Sequence, residues 1–168
     1  DCHAIEQCLL KHEMVREAEC YKSPFGKVHI TISQRIPVLA VVSSNGYYYV
    51  DSDRRVMPIR GEVDKNLPML NGAVTERAAM AEYFDFVSWL RDDKYWKERI
   101  RAIHVKTSKY IVLTQEGSDA KIILGELEDY EDKLAKLRQL YTKGFDQIGY
   151  PEYREYDLRF DNQVVGRK

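Results

Sequence analysis

The sequence has little of what marks the common specialised classes of protein. Its 168 residues include only three cysteines, Cys2, Cys8 and Cys20, and a disulfide framework would need more of them, evenly paired. We expect three buried thiols, with one oxidised pair as the alternative. No run of roughly 18 apolar residues is present, so we expect no segment of this sequence to span a bilayer.

An excess of charge of one sign is also missing. The chain carries 26 lysines and arginines against 27 aspartates and glutamates, a net charge of -1. This balance lacks the basic footprint of a nucleic-acid-binding protein. A chain of this length can bury a core in one domain or in two small ones.

Motifs with a known catalytic mechanism are absent as well. The sequence contains no GxxxxGK or GxGxxG phosphate loop and no HExxH. Cys8 and His12 could share a helix face, with Cys20 as a third metal ligand, but no CxxC or fourth ligand accompanies them. The acidic run at residues 126–132 suits the dipole of a helix N-terminus. We therefore predict no enzymatic activity, no metal and no cofactor.

Hydrophobic periodicity predicts a helix and a hairpin in the first 35 residues. Helical spacing of apolar residues favours a helix over residues 5–12. Strands are predicted over residues 17–22 and 27–35, on either side of a turn that contains Gly26. Ile36 precedes a proline, which favours extended structure and a domain joint there.

The rest of the sequence predicts strands interrupted by two helices. Asn45-Gly46 favours a type I′ hairpin turn, Thr75 is a good N-cap, and Gly144 is predicted to end the second helix at C′. A loop is predicted from residue 60 to Gly72. The predicted strands are 38–42, 47–51, 55–59, 100–106, 110–114 and 121–124, and the helices are 75–90 and 127–143.

The C-terminal residues predict a final strand by alternating apolar and polar side chains. Tyr156, Leu158 and Phe160 would occupy one face, and Asp157, Arg159 and Asp161 the other. A final strand is expected at a sheet edge, where its unpaired backbone groups can accept a partner strand.

Six short segments, in order along the chain, resemble motifs of the FtsQ/DivIB family of bacterial cell-division proteins. The last of them, DLRF at residues 157–160, is similar to the family's C-terminal DLRY. The other five are HEMVREAE, SPFGKV, QRIPV, YYVD and LPMLNG, which begin at residues 12, 23, 34, 48 and 67.

The resemblance implies an α+β fold in two parts. Residues 1–35 would be a partial POTRA-type module, a helix plus a β-hairpin, without the first strand and helix of the βααββ pattern. Residues 36–168 would be the family's β domain, an antiparallel or mixed sheet with two packed helices. The sequence would then be a fragment of a protein anchored in the inner membrane by one helix, with this part on the periplasmic side.

The function implied by the resemblance is that of a non-catalytic divisome scaffold. Its partners would be FtsB/DivIC-type and FtsL-type division proteins, bound by strand addition at the C-terminal edge. Carried over by position, the partner-binding residues are Phe160, Asp161, Asn162, Gln163, Val164 and Val165. Phe160 could equally be a core side chain, since it is predicted on the face of Leu158.

Two other functions stay open at this point. One is a POTRA-containing peptide-binding domain of an outer-membrane assembly or secretion protein, which predicts further POTRA repeats or a barrel pattern. The other is a small periplasmic hydrolase, which predicts a nucleophile, a base and an orienting group within hydrogen-bond reach.

Overall fold

Two separate β-sheets organise the chain in a computed structural model that describes residues 1–44 and 46–168. The first sheet has two strands, and the second is a mixed sheet of nine strands. The α+β fold class predicted from the sequence is confirmed. The predicted type I′ turn falls on Asn45, which lies outside the described residues.

The N-terminal part is a helix packed on a β-hairpin. Helix α1 spans Cys2–Leu10, and strands β1 (Val15–Lys22) and β2 (Val28–Gln34) pair antiparallel. The helix begins three residues before its predicted start because the Asp1 side chain accepts a hydrogen bond from the His3 backbone N–H at 3.1 Å.

The nine-stranded sheet combines antiparallel hairpins with parallel pairings. Its strand order is β11-β10-β9-β8-β7-β6-β3-β4-β5. Strand β6 pairs parallel with both β3 and β7, and β10 pairs parallel with β9. The strands are β3 (Pro37–Ser43), β4 (Gly46–Asp51), β5 (Val56–Pro58), β6 (Met69–Gly72), β7 (Ile100–Thr107), β8 (Tyr110–Gln115), β9 (Ser118–Gly125), β10 (Glu155–Asp157) and β11 (Val165–Arg167).

Both predicted helices form, and each is interrupted. The first divides at Ala81, whose backbone leaves helical geometry between α2 (Glu76–Met80) and α3 (Glu82–Asp92). Thr75 caps it as predicted, because its hydroxyl accepts a hydrogen bond from the Ala78 N–H at 3.2 Å. The second consists of α4 (Tyr130–Gln139), a π-helical segment (Leu140–Phe145) and α5 (Asp146–Ile148).

The main core joins these helices to one face of the large sheet. The predicted apolar stripe of the first helix is buried there with Trp96, and so are side chains from the second helix. A smaller core covers part of the other face of the sheet around Ala40, Tyr49 and Met57. The stripe residues are Ala79, Tyr83, Phe86, Val87 and Leu90.

Two expectations about secondary structure were wrong. The predicted loop before Gly72 contains β6, a strand between β3 and β7; its four residues are too short to show periodicity, and parallel pairing depends on distant strands. Gly144 is not a C′ residue, because the chain continues through the π-helical segment, and Gly149 follows the last turn with a positive φ of 90°.

Candidate functional site: the C-terminal sheet edge

The C-terminal residues form two short strands rather than one. Strand β10 is interior, between β9 and β11, and β11 is the edge strand. The predicted strand through Phe160 therefore ends at Asp157, and the sheet edge belongs to β11. In the part of the chain that the structure describes, no strand pairs with the outer side of β11.

Hydrogen bonding along β10 determines which backbone groups of β11 face outward. The Arg154 carbonyl accepts from Lys121 N–H, and Leu158 N–H donates to Ile123 carbonyl, each at 2.9 Å. Alternation along the strand then directs the backbone of Asp157 toward β11, where Val165 lies opposite it. Gly166, the next residue of β11, consequently presents its N–H and carbonyl to the free edge.

Asp157 connects the two C-terminal strands from within the fold. Its side chain is completely buried, which corrects the expectation that it would point to solvent. Its two carboxylate oxygens accept hydrogen bonds from Arg159 Nε at 2.9 Å and Nη2 at 2.7 Å, and Arg167 Nη2 donates at 3.1 Å. The hydrogen bonds from Arg159 hold the pKa of Asp157 below its ordinary value, against the effect of burial.

An aromatic cluster supports the edge from the helix side of the sheet. Tyr153 and Tyr156 pack edge to face with ring centroids 5.8 Å apart, and Tyr141 lies 5.3 Å from Tyr156. A Cβ atom on Gly166 would come within 2.8 Å of the Tyr153 ring. Glycine at position 166 therefore lets the edge strand lie directly against this cluster.

The predicted partner-binding residues form an exposed turn that leads into β11. Phe160 is 42% exposed and belongs to neither core. The alternative expectation, that Phe160 is a core side chain, was therefore wrong. Asn162 adopts a left-handed conformation, with φ of 60°, and Val165 is the first residue of the strand. Asp161 and Gln163 are exposed, and Val164 is half-buried.

A groove beside this turn was not predicted from the sequence. Its volume is about 530 Å³. Lys136 of α4 and Lys143 of the π-helical segment line it, together with Leu140, and Val164 lines the opposite wall. Neither lysine forms an ion pair within the described residues. Only the helical spacing of residues 136, 140 and 143 could have indicated a shared face.

The open face of the sheet has a second concavity, of 340 Å³, that contains a histidine. Nδ1 of His104 pairs with the side-chain amide oxygen of Asn71, rather than with a carboxylate or hydroxyl as a catalytic base would.

Among the described residues, no group of three or more histidine, cysteine or acidic side chains could hold a metal ion. In the same part of the chain, no helix is both long and apolar enough to cross a membrane.

Comparisons with known proteins match both parts of the chain. A family model described as FtsQ/DivIB, C-terminal related, matches residues 36–167, and a POTRA-like domain model matches residues 1–33. Among solved structures, the chain is similar to the major extracytoplasmic domain of the trans isomer of the cell division protein DivIB from Geobacillus stearothermophilus. That match has 14% identity and a TM-score of 0.45, and it covers 66% of this chain and 96% of the other. A search of curated proteins finds no match.

Proposed function

The chain belongs to the FtsQ/DivIB family of cell-division proteins, whose model covers residues 36–167, and on that premise we propose that it is a non-catalytic divisome scaffold. Its partners are FtsB/DivIC-type and FtsL-type division proteins. It acts on the periplasmic side of the inner membrane, to which the whole protein is anchored. The proposed boundary between the POTRA-like module and the β domain lies at residues 35 and 36.

The observation that carries this proposal is the free edge of β11. A strand with one unpaired side can add a partner strand through main-chain hydrogen bonds, and neighbouring pockets then select the partner's side chains. The Gly166 backbone offers a donor and an acceptor there, while Asp157 and the aromatic cluster keep β11 attached to the sheet. We propose Phe160, Asp161, Asn162, Gln163, Val164 and Val165 as the partner-binding residues.

The charge and shape of the groove indicate which side chains the partner segment should carry. Its lysines lack acidic partners within the described part of the chain, and Leu140 and Val164 supply apolar surface. The segment that follows the added strand should therefore carry acidic side chains and one apolar side chain. Acidic groups would meet Lys136 and Lys143, and the apolar group would cover Leu140.

Proline at position 164 provides the sharpest test. Val164 immediately precedes β11, and we propose that its N–H faces the free edge, as the alternation extended by one residue predicts. Val164→Pro removes that donor without removing a hydrogen bond between β10 and β11. We expect it to weaken binding of a peptide from the C-terminal region of an FtsB-type protein at least about tenfold, a loss of about 1.4 kcal/mol.

Val164→Ala is the matched control, because it loses the same apolar contact and keeps the N–H. It should bind the peptide within about threefold of the original protein, and circular dichroism melts should show both variants folded. Equal binding by Val164→Pro and Val164→Ala would contradict strand addition. Deleting residues 161–168 should abolish binding too, but it also removes Arg167 from Asp157, so the point variants are more informative.

The alternative functions fit these observations less well. A POTRA repeat protein predicts more POTRA modules, whereas the matched POTRA-like region ends at residue 33 and the FtsQ/DivIB-related region follows it. A hydrolase predicts a base with an orienting group, and the histidine in the open-face concavity contacts an amide.

A further inference from the structure

Two of the three cysteines meet where the first turn of α1 crosses β1. Cys2 is the first residue of the helix, and Cys20 is a buried residue of β1. The Cys2 thiol lies near enough to Cys20 to raise the pKa of the Cys20 thiol. Glu6 lies one turn after Cys2, and its Oε1 accepts the backbone N–H of Cys20 at 2.7 Å. The first turn of α1 is therefore fixed directly over Cys20.

The third cysteine is placed differently. Cys8 is exposed and lies six residues after Cys2, which puts it on another face of the same helix. A neighbouring pair of thiols and a separate exposed thiol thus lie within the N-terminal 20 residues.

The hairpin beneath α1 has a thin core. Val28, Ile30 and Ile32 of β2 are each about half exposed, and none of the residues of α1 is fully buried. Small folds with so little buried apolar surface commonly depend on a covalent cross-link. A bond between Cys2 and Cys20 would join the helix to the strand beside the contact between Glu6 and Cys20.

We propose that Cys2 and Cys20 form an intramolecular disulfide when the protein meets a thiol–disulfide oxidant, and that Cys8 remains a thiol. The bond attaches α1 to β1 and stabilises the N-terminal module. It would persist outside the cytoplasm, where the proposed function places this part of the protein, but its formation does not depend on partner binding.

The reaction is a two-step thiol–disulfide exchange. The Cys2 thiolate attacks one sulfur of the oxidant's disulfide, which gives a mixed disulfide and releases one thiol of the oxidant. The Cys20 thiolate then attacks the Cys2 sulfur, forms the new S–S bond and releases the second thiol. Two electrons pass from the cysteines to the oxidant, and the two thiol protons end on its two released thiols.

Exposure decides which cysteine reacts first. Burial and the neighbouring Cys2 thiol raise the pKa of the Cys20 thiol, so less of it is thiolate at neutral pH. Cys2 is half-exposed, and the oxidant reaches it first. Cys20 then reacts within the molecule, where its proximity compensates for its weaker ionisation.

Peptide mapping of the oxidised protein tests the proposal. The full chain is incubated with oxidised glutathione, its remaining thiols are alkylated, and it is digested with trypsin and a glutamate-specific protease. Cleavage after Glu6, Lys11, Glu19 and Lys22 places the three cysteines in separate fragments, residues 1–6, 7–11 and 20–22. We expect fragments 1–6 and 20–22 to be disulfide-linked and fragment 7–11 to be alkylated.

Two single variants and a second measurement complete the test. Cys8→Ser should form the same bond, and Cys2→Ser should form none within the molecule. Reduction should speed amide hydrogen exchange in α1 on the order of tenfold in the original protein and in Cys8→Ser. It should leave the rate in Cys2→Ser unchanged. Three alkylated cysteines after oxidation, or a bond that includes Cys8, would overturn the proposal and leave the partner-binding function untouched.

Discussion

Asp157 and Arg159 form a paired contact in which two nitrogens of the guanidinium meet the two oxygens of a fully buried carboxylate. The distances are 2.9 Å from Nε to Oδ1 and 2.7 Å from Nη2 to Oδ2. The Arg159 stem occupies space beside Gly125, where a Cβ atom would come within 2.7 Å of it. Because Arg167 of β11 shares the same carboxylate, this contact joins the edge strand to the fold.

Removing the charge of Asp157 should loosen the edge. Asp157→Asn loses charge-assisted hydrogen bonds to two arginines, which we expect to cost about 2–3 kcal/mol of unfolding free energy. Denaturant unfolding measures the loss. Asp161→Asn removes a charge from the exposed turn nearby and should change stability by less than about 0.5 kcal/mol. Similar effects from both variants would contradict the assigned role of Asp157.

The stabilisation from Asp157 should depend on pH in a specific direction. Its pKa is lower in the folded protein than in the unfolded chain, so the unfolded state binds the proton more readily. The stabilisation is complete above the unfolded pKa of about 3.9 and is lost as the pH falls through the folded pKa. The stability difference between the original protein and Asp157→Asn should therefore shrink as the pH falls below about 4. A constant difference would contradict this assignment.

Phe160 and Leu158 should separate binding from stability. Leu158 is buried in the main core, so Leu158→Ala should cost about 2–5 kcal/mol of stability. Phe160 lies outside both cores, so Phe160→Ala should cost less than about 1 kcal/mol of stability. If Phe160 anchors the partner, Phe160→Ala should lose about 2 kcal/mol or more of binding free energy. A large drop in melting temperature for Phe160→Ala without a separate binding defect would contradict that role.

The sequence predicted elements whose signals are local. The strand β2, the stripe from Ala79 to Leu90 and the cap at Thr75 were predicted from neighbouring residues, and each is present in the structure. The breaks in the two helices were missed because Ala81 and Leu140 are ordinary helix formers. Packing against the sheet determines their geometry.

The edge was predicted less accurately because it depends on distant contacts. The alternation from Tyr156 to Phe160 suggested one strand with Asp157 exposed. Parallel pairing with β9 instead buries Asp157, and Arg167 reaches it from ten residues further along the chain. The final strand was correctly predicted to lie at a sheet edge. That strand begins at Val165, however, and not near Tyr156.

Arg35 should hold the POTRA-like segment against the large sheet. Its guanidinium donates to Asp51 at 2.6 Å, to the Glu13 carbonyl at 3.0 Å and to the Val56 carbonyl at 2.9 Å. Lysine cannot reproduce this fork, so Arg35→Lys should cost about 2–3 kcal/mol. Arg55→Lys, at an exposed position between β4 and β5, should change stability by less than about 0.5 kcal/mol. Denaturant unfolding of both variants checks this, and equal effects would contradict a specific contact.

Tyr48 and Tyr49 should respond oppositely to loss of the hydroxyl. Tyr48 Oη is buried without a hydrogen-bond partner in the described part of the chain, so Tyr48→Phe should stabilise the fold by about 1 kcal/mol. Tyr49 Oη accepts the Asp64 backbone N–H at 2.9 Å, so Tyr49→Phe should destabilise it by about 1 kcal/mol. Thermal melts distinguish the two signs, and destabilisation by Tyr48→Phe would show that its hydroxyl has a partner.

The unpaired lysines of the groove should act mainly on the rate of partner association. Reversing both charges, with Lys136→Glu and Lys143→Glu, repels an acidic partner segment as it approaches the edge. We expect the association rate with the FtsB-type peptide to fall about tenfold at low salt. The dissociation rate should change less, because the main-chain hydrogen bonds of β11 remain. Stopped-flow fluorescence measures both rates.

Salt and a matched variant separate this effect from a general change in charge. The difference between the double variant and the original protein should shrink as ionic strength rises toward about 1 M, where the Debye length is about 3 Å. Lys27→Glu with Lys65→Glu changes the net charge equally at exposed positions away from the groove, and it should leave the association rate within about twofold. Equal slowing by both double variants would mean that the groove has no specific part in binding.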